Sequence, residues 1–546
     1  MSFGRFKIEE PKNEPTHDYA PGSWERKALK EELEKIKKAD PIEIPLIIGG
    51  EEIYTDEQIN ITAPHDHELI LGKASLAQEK QIKQAIENAL ETKKDWIKYN
   101  WDERAAIFLK MAELLADPYR MKINAATILN LSKNPHQAEI DSACELIDFL
   151  RFNTYYMYQI YNNQPYSPHT AFNRLEYRPL DGFVFAVTPF NFVSIMGNLP
   201  TAPALMGNVV VWKPATSVLY VAYKLMKLFI RAGLPKGVIN FLPGHGSVVG
   251  KHVLKHPDLG GIHFTGSTRT FEYMWKVVGE NIHKYNQYPR LVGETGGKDF
   301  IFIHKSADLS GVLASLTRGA FEYQGQKCSA ASRIYAPKSL WPQIKKCLED
   351  DIEGIKIGEP DDFSNYVNAI IDKKAFESIT EYIDYSKESN EADVIIGGNA
   401  DDSKGYFIDP TVILAKKPDF KTMVEEIFGP VLSIYLYEDN KFIETLHLVD
   451  KSTKYALTGS IFAEDRKAIS IASKILRHAA GNFYINVKPT GAVVNQQPFG
   501  GSRKSGTNDK AGSYLNLIRW VSARSIKERF YPPQEYTCPF LENEKK

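Results

Sequence analysis

Cys328 lies in a short segment of small and polar residues, Gln324-Gly325-Gln326-Lys327-Cys328-Ser329-Ala330. A thiolate is a strong nucleophile, and an adjacent lysine ammonium would lower the thiol pKa. The alternative is a buried packing cysteine, but such residues usually lie in apolar runs, as Cys144 does beside Leu146 and Ile147. The glycine and the polar neighbours therefore favour a nucleophilic Cys328.

A carboxylate and a carboxamide could assist this nucleophile. Glu294 lies in Gly293-Glu294-Thr295-Gly296-Gly297-Lys298, where glycines let the backbone approach a ligand closely. There it could activate water if desolvation raises its pKa, although the same pattern also suits a solvated turn. Asn191 ends a predicted strand in Thr188-Pro189-Phe190-Asn191-Phe192. It could donate to a developing oxyanion, although asparagine is also common in turns.

Two further motifs end predicted strands and could hold a ribose or an anion. Lys213 ends Val210-Val211-Trp212-Lys213, and Ser267 follows Phe264-Thr265-Gly266 at a predicted helix N-terminus, a place suited to anions. The segment 244–250 resembles a dinucleotide fingerprint but has one residue too many before its last glycine. We interpret that segment as a turn.

The elements that must position these residues form two alternating blocks. Apolar, β-rich runs followed by helix-like segments occur at 183–187, 209–212, 238–242 and 262–265, and again at 300–303, 333–336, 394–396 and 431–437. This alternation predicts an α/β fold with parallel sheets covered on both faces. Ligands of such sheets bind at the carboxyl ends of the strands, so we expect a cleft between two α/β domains.

Composition narrows the class of protein. The 546 residues are enough for two to four domains, and a formal net charge of -1 gives no general attraction to nucleic acid or acidic membranes. Four scattered cysteines, with no Cys-x-x-Cys pair, predict a reducing compartment and no zinc site. The N-terminus lacks the pattern of a signal or transit peptide, so we expect a cytoplasmic protein, with the mitochondrial matrix as the alternative.

Taken in order, these motifs resemble the signatures of the aldehyde dehydrogenase superfamily, together with Glu425-Glu426-Ile427-Phe428-Gly429-Pro430 and Pro498-Phe499-Gly500-Gly501. Within it, the chain is similar to the Δ1-pyrroline-5-carboxylate (glutamate-γ-semialdehyde) dehydrogenase branch. Thr295 in place of the usual leucine, Lys327 before the nucleophile, and Pro489-Thr490-Gly491-Ala492-Val493-Val494 carry this finer resemblance.

The resemblance implies a Rossmann-type NAD domain, an α/β catalytic domain and a small oligomerisation element. We expect the NAD domain, with an N-terminal helical arm, at 1–157, 181–290 and 471–488, and the catalytic domain at 291–470. The segments 158–180 and 515–546 would be oligomerisation elements of a homodimer or larger homo-oligomer. No nucleic acid, membrane or metal ion is expected as a partner.

The resemblance also implies NAD-dependent oxidation of L-glutamate γ-semialdehyde to L-glutamate through a cysteine thiohemiacetal and thioester. Cys328 would attack the aldehyde, Asn191 and the Cys328 N–H would hold the oxyanion, and Glu294 would activate water. The implied NAD-binding residues are Thr188, Lys213, Gly266, Ser267, Thr268, Glu426 and Phe428. The implied substrate-binding residues are Ser329, Gly491, Ala492, Phe192 and Phe499.

Two departures and three alternatives stay open at this stage. Phe271 replaces a glycine common after Ser267, and Thr216 replaces a glutamate that many NAD-preferring relatives have, so NADP use remains open. Another semialdehyde dehydrogenase, such as one for succinate semialdehyde, would show an arginine pair near the mouth of the site. A non-catalytic binding protein on the same scaffold is a second alternative. The third alternative is the bifunctional proline-oxidising enzyme, which has a flavin-binding barrel domain upstream. We do not expect it here, because the roughly 180 residues before the first strand are too few for that barrel.

Overall fold

In the computed structural model, which describes residues 7–541, two seven-stranded sheets carry most of the strands. From edge to edge, the first sheet contains Arg290–Glu294, Leu259–Thr265, Phe183–Val187, Val210–Lys213, Ile239–Phe241, Leu46–Ile48 and Glu51–Ile53. The strands between residues 183 and 294 pair in parallel, and the two N-terminal strands add antiparallel pairs. The central strands are buried on both faces, which explains their continuous apolar runs.

Helices cover the first sheet and build the N-terminal part of the chain. They are Trp24–Lys38, Glu79–Trp96, Trp101–Ala116, Arg120–Leu131, Glu145–Asn162, Val193–Leu205, Leu219–Ala232, Gly246–Val253 and Thr268–Glu280. A separate three-stranded sheet joins Ile42–Ile44, Asp66–Ser75 and Gln58–Ala63. Within residues 7–541, no helix is long and apolar enough to cross a membrane.

The second sheet follows in the chain and is also mostly parallel. Its spatial order is Ala392–Ile396, Thr411–Ala415, Val431–Tyr437, Ala331–Pro337, Asp299–Ile303, Thr458–Phe462 and Asn482–Ile485, with the first strand antiparallel. Its helices are Leu309–Phe321, Trp341–Glu353, Lys373–Glu388, Phe442–Lys451 and Arg466–Ile475. The two covered sheets confirm the predicted α/β class.

Two expected domain boundaries differ from the strand pairing. Asn482–Ile485, expected with the first block as part of 471–488, pairs in parallel with Thr458–Phe462 in the second sheet. This edge strand has only four residues, so its sequence alone does not show to which sheet it belongs. Conversely, Arg290–Glu294 extends past residue 290 and completes the first sheet. The chain then crosses to the second sheet through residues 295–298 alone.

A long antiparallel ribbon stands apart from both sheets. Ala171–Pro179 pairs with Val521–Arg529 along the whole length of both strands. The two strands come from the two segments expected to be oligomerisation elements, 158–180 and 515–546, of which 542–546 lie outside the described residues. The pairing brings these distant parts of the chain together.

A buried ion cluster fixes the extended N-terminal arm to the helical layer. Glu139 is fully buried and accepts hydrogen bonds from Arg120 Nε (3.1 Å), Tyr19 Oη (2.6 Å) and Asn124 Nδ2 (2.7 Å). Arg120 Nη1 also lies 2.6 Å from a carboxylate oxygen of Glu14 in the arm. Because these groups are removed from water, each depends on the others for its hydrogen bonds.

We predict that Arg120→Ala lowers the free energy of unfolding by about 3–5 kcal/mol, because it leaves buried Glu139 without its counter-ion. Urea unfolding followed by tryptophan fluorescence measures this change. Lys35→Ala is the matched control: Lys35 pairs with Glu32 at 2.7 Å but is 65% exposed. That loss should stay below about 1 kcal/mol, and similar losses in both variants would contradict the prediction.

Candidate active site

Cys328 lies in the wall shared by two cavities of about 220 Å³ and 760 Å³. The smaller cavity is also lined by Glu294 and by all five predicted substrate-binding residues: Ser329, Gly491, Ala492, Phe192 and Phe499. The larger is lined by Asn191 and by six of the seven predicted cofactor-binding residues: Thr188, Lys213, Gly266, Ser267, Glu426 and Phe428. A group reacting at the thiol is therefore accessible from both cavities.

A strained turn presents Cys328 to these cavities. After the helix Leu309–Phe321, Tyr323, Gln324 and Gly325 adopt φ values of 49°, 54° and 66°. A Cβ atom on Gly325 would lie 2.1 Å from the carbonyl oxygen of Gly429, so the backbone admits only glycine there. The Tyr323 hydroxyl and the Gln324 carboxamide donate to backbone carbonyls of Leu131 (3.1 Å) and Ala369 (2.9 Å) and hold the turn in place.

The groups expected to hold an oxyanion flank the thiol. The Asn191 Nδ2 group is buried and donates to the Gln326 carbonyl at 3.1 Å, two residues before the cysteine. Among residues 7–541, the backbone N–H of Cys328 has no acceptor. One N–H is thus unused, and the carboxamide has a second N–H to offer to a developing negative oxygen.

The pKa of the Cys328 thiol is raised, and the expectation of a lowered one is wrong. The Lys327 ammonium lies 3.4 Å from the Asp141 carboxylate and 3.5 Å from that of Glu322, and these carboxylates draw the side chain to them. Burial raises the pKa of Cys328 well above its ordinary value, and the nearby carboxylates, first of all Glu294, raise it further. The thiol therefore needs a base before it can attack.

Glu294 is placed at the carboxyl end of the first sheet's edge strand, where the chain leaves that sheet. Burial raises its pKa to about 8, the ammonium of Lys510 lowers it and the carboxylate of Asp509 raises it again. A carboxyl group with this pKa exists in both protonation states near neutral pH. It can therefore take up a proton and release it again.

The loop around Gly491 supplies unused hydrogen-bond donors to the smaller cavity. Gly491 has a φ of 92°, and among the described residues the backbone N–H groups of Gly491 and Ala492 have no acceptor. Ser329 Oγ donates to Thr490 Oγ1 at 3.0 Å and ties the start of this loop to the nucleophile. The aromatic rings of Phe192 and Phe499 form apolar parts of the wall.

The smaller cavity also has polar residues that the sequence analysis missed. Asp141, Glu145 and Asp148 line it, at a spacing that places them on one helical face. Burial raises the pKa of Glu145 to about 8, and Ser194 donates to its carboxylate. That spacing was a usable signal for these carboxylates. Asn13 and Glu14 from the N-terminal arm line the cavity too, and no local pattern indicates this.

Several residues of the larger cavity differ from expectation. Thr268 does not line it; its hydroxyl instead accepts a hydrogen bond from the Gly296 N–H at 3.3 Å. The segment 244–250, interpreted as a turn, begins the helix Gly246–Val253, whose first residues line this cavity. Phe271 stacks on Phe264, with ring centroids 5.3 Å apart, and fills the space beside Gly293.

Lys213 and Glu426 give the larger cavity the chemistry of a nucleotide site. The ammonium of Lys213 is buried and has no hydrogen-bond or ion-pair partner among residues 7–541, and burial lowers the pKa of Lys213 to about 8. Glu426 accepts a hydrogen bond from the Gly297 N–H at 2.9 Å, and burial raises its pKa to about 7. An unpartnered buried amine and a buried carboxyl fit a ligand that carries several hydroxyl groups.

Comparison with known proteins gives a consistent result. The profile described as aldehyde dehydrogenase family matches residues 53–522. A mitochondrial Δ1-pyrroline-5-carboxylate dehydrogenase of Dictyostelium discoideum is 51% identical over 542 residues, which cover 99% of this chain and 97% of that protein. The Homo sapiens protein of the same name is 45% identical, with coverages of 97% and 94%. The crystal structure of the Mycobacterium tuberculosis Δ-pyrroline-5-carboxylate dehydrogenase bound with NAD has a TM-score of 0.95 and 50% identity, with coverages of 99% and 100%.

We predict that Glu294→Gln raises the rate at which iodoacetamide alkylates Cys328 at about pH 9 several-fold, because it removes a negative charge that raises the thiol pKa. Site-resolved mass spectrometry measures the rate. Exposed Cys538 and buried Cys144 are internal controls, whose modification should be the same in both proteins. Equal alkylation of Cys328 in the two proteins would show that Glu294 does not influence the thiol.

Proposed function

The chain belongs to the aldehyde dehydrogenase family, and on that premise we propose that it oxidises L-glutamate γ-semialdehyde to L-glutamate with NAD. The semialdehyde is in equilibrium with Δ1-pyrroline-5-carboxylate, and the reaction is the step of proline catabolism that yields glutamate. The observation that carries the proposal is the position of Cys328 between an aldehyde-sized cavity and a nucleotide-sized one. Relatives named for this activity match nearly the whole chain.

The larger cavity suits NAD, which accepts a hydride from the reacting carbon when it is bound. We assign Lys213 and Glu426 to its ribose hydroxyl groups, since both are buried polar groups facing the cavity. Gly266 and Ser267 lie at the N-terminus of the helix Thr268–Glu280, which attracts a phosphate. Thr188 and Phe428 complete the wall. Thr268 acts behind the site, through its hydrogen bond with Gly296.

Acylation requires a thiolate and a donor for the aldehyde oxygen. Glu294 takes the proton of the Cys328 thiol, and the sulfur then attacks the aldehyde carbon. Asn191 Nδ2 and the Cys328 N–H donate to the oxygen as it gains negative charge. Loss of hydride from the same carbon leaves a thioester on Cys328.

Deacylation uses the same carboxylate in a second role. Glu294, again ionised, removes a proton from a water molecule in the smaller cavity. The resulting hydroxide attacks the thioester carbon, Asn191 again supports the oxygen, and the thiolate leaves. The product is a carboxylate, so the substrate becomes L-glutamate.

The smaller cavity favours an amino-acid aldehyde. The N–H groups of Gly491 and Ala492 can bind the α-carboxylate, with Ser329 nearby, while Phe192 and Phe499 contact the methylene groups. Asp141, Glu145 and Asp148 also line this cavity and can accept hydrogen bonds from an ammonium group, which succinate semialdehyde lacks. No arginine among the described residues lines this cavity, so the feature expected of a succinate semialdehyde enzyme is missing.

A purely binding role is less consistent with the site. Cys328 and Glu294 both line the smaller cavity, and the Glu294 carboxylate raises the pKa of the Cys328 thiol. A nucleophile and a carboxyl group with a pKa of about 8 form a reactive pair that a binding protein does not require.

We further propose that the chain forms a homodimer or larger homo-oligomer through the ribbon of Ala171–Pro179 and Val521–Arg529. Aromatic side chains are largely exposed in and after this ribbon: Phe172, Phe530, Tyr531, Tyr536 and Phe540. Such a cluster of large apolar groups is typical of an interface. In this proposal, the first sheet and the N-terminal helices form the NAD domain, and the second sheet forms the catalytic domain.

The proposed compartment is the cytoplasm, with the mitochondrial matrix as the alternative. All four cysteines are free, which is consistent with a reducing environment in either place. Several relatives, including the Dictyostelium discoideum and Homo sapiens proteins, are named as mitochondrial.

We expect kcat/KM with NAD to be at least about tenfold higher for glutamate γ-semialdehyde than for succinate semialdehyde or pentanal, because each of these lacks a group that the cavity binds. NADH formation at 340 nm measures the rates, and a parallel NADP series measures cofactor preference. Cys328→Ala is the control: it should lose turnover while it still binds NAD. A preference for succinate semialdehyde would refute the proposed substrate.

We also expect kcat to rise with pH up to about 8 and then level, because Glu294 acts in its ionised form and its pKa is raised to about 8. Below that pH the active fraction falls about tenfold per unit. Glu294→Gln should abolish this pH-dependent rise and lower kcat without a burst of NADH, because both acylation and deacylation lose their base. Glu145→Gln is the matched control, since the pKa of Glu145 is also about 8. If Glu145→Gln loses the pH-dependent rise in kcat and Glu294→Gln keeps it, the titrating group is Glu145.

A further inference from the structure

The N-terminal segment 10–17, which we name the strap, crosses the outer side of the smaller cavity. It is neither helix nor strand, and Asn13, Glu14 and Thr16 form part of the cavity wall. The nucleophile is about 310 residues further along the chain. The fold thus uses a distant part of the chain to close the substrate site.

Charged groups hold the strap firmly against the helical layer. The Glu14 carboxylate lies 2.6 Å from both Arg120 Nη1 and Arg151 Nη1. The Glu14 N–H donates to Asp148 Oδ1 at 2.7 Å, and the His17 N–H donates to Glu139 Oε1 at 2.8 Å. Because its backbone and side chains are both bound, the strap has a fixed position from which it can hold another segment.

That other segment is the loop 490–497, which we name the anchor loop. Asn13 Nδ2 donates to the carbonyl oxygen of Val494 at 2.9 Å and to Asp148 Oδ2 at 2.8 Å. Asn13 Oδ1 accepts a hydrogen bond from Gln496 Nε2 at 3.0 Å. The carboxamide of Asn13 therefore joins the strap, the helix Glu145–Asn162 and the anchor loop in a single contact.

A second strap residue strengthens the same contact. The carboxylate of Glu10 accepts a hydrogen bond from Asn495 Nδ2 at 2.9 Å, while the Tyr156 hydroxyl donates to Asn495 Oδ1 at 2.7 Å. Asn495 has a φ of 68°, a conformation that side-chain hydrogen bonds help an asparagine to keep. The strap thus contacts the loop at three successive residues, 494–496.

The anchor loop needs such support because the N–H groups expected to bind the substrate make no hydrogen bonds to the described residues. The N–H groups of Gly491 and Ala492 have no acceptor among residues 7–541, and Gly491 has a left-handed conformation. On the N-terminal side of Gly491, the Thr490 hydroxyl accepts a hydrogen bond from Ser329. On the C-terminal side of Ala492, the Val493 N–H donates to Gln497 Oε1 at 3.0 Å within the loop. The next residue, Val494, accepts a hydrogen bond from Asn13 of the strap.

We propose that Asn13 is a positioning residue for substrate selectivity: it holds the anchor loop so that the Gly491 and Ala492 N–H groups meet the charged end of the aldehyde. The inference rests on the proposed function for the identity of that end. Asn13 acts through the loop, since its side-chain hydrogen bonds go to Asp148, Val494 and Gln496. Its loss therefore weakens binding of charged aldehydes and leaves the chemical step unchanged.

The test compares a charged and an uncharged aldehyde in the same variant. In Asn13→Ala we expect KM for glutamate γ-semialdehyde to rise roughly tenfold, with kcat within about twofold. KM for pentanal, which has no group for the loop to bind, should stay within about twofold. Equal KM increases for both aldehydes, or no increase for the semialdehyde, would overturn the inference.

Three controls keep these outcomes distinct. Lys12→Ala changes an exposed neighbour in the strap and should behave as wild type. Gln496→Ala removes the hydrogen bond from the loop side and should raise the same KM to a smaller extent, so the inference remains testable if Asn13→Ala folds poorly. If the wild-type enzyme does not prefer glutamate γ-semialdehyde over pentanal, the proposed function fails. If it does and both variants keep its KM, only the role of Asn13 fails.

Discussion

Removal of a thiol and a carboxyl group from water at the same place is the constraint on which this structure depends. Burial raises the pKa of both Cys328 and Glu294, and the Glu294 carboxylate raises that of the thiol further. A protein can hold such a pair only on rigid supports, because water would otherwise enter and solvate the charges. The two sheets provide these supports: Glu294 ends a strand of the first, and Cys328 precedes a strand of the second.

The same constraint explains the buried charges beneath the site. Lys133 is fully buried, lies 2.8 Å from Asp141, and has its ammonium 4.6 Å from the centroid of the Phe192 ring. Glu322 lies 2.8 Å from Lys488 and 3.5 Å from Lys327; burial opposes its ionisation, but these ammonium groups hold its pKa at about 2. The network fixes the wall of the smaller cavity, and its buried carboxylates and ammonium groups neutralise one another. Lys327 is therefore part of this ion-pair network.

The sequence was most informative where one local pattern has one physical meaning. Continuous apolar runs predicted the central strands of both sheets, because a strand buried on both faces cannot be polar. Motifs at strand ends predicted residues that line the two cavities, because parallel strands bring their carboxyl ends together. The sheet that the edge strand Asn482–Ile485 joins could not be predicted, since four residues carry no signal for their pairing partner. The direction of the Lys327 side chain depends partly on Asp141, which is distant in sequence. The position of the strap depends on Arg120 and Arg151, which are distant from it in the same way.

The crossing at residues 295–298 has a mechanical consequence. Three successive N–H groups of this segment donate hydrogen bonds. The Thr295 N–H donates to the Ser505 carbonyl at 3.0 Å and the Gly296 N–H to Thr268 Oγ1 at 3.3 Å. The Gly297 N–H donates to Glu426 Oε1 at 2.9 Å. The direct covalent path between Glu294 and the second sheet is therefore short and held by hydrogen bonds, one of them to a carboxylate in the nucleotide cavity. Glu294 of the smaller cavity and Glu426 of the larger one are therefore joined through three consecutive residues, so the walls of the two cavities share one backbone segment.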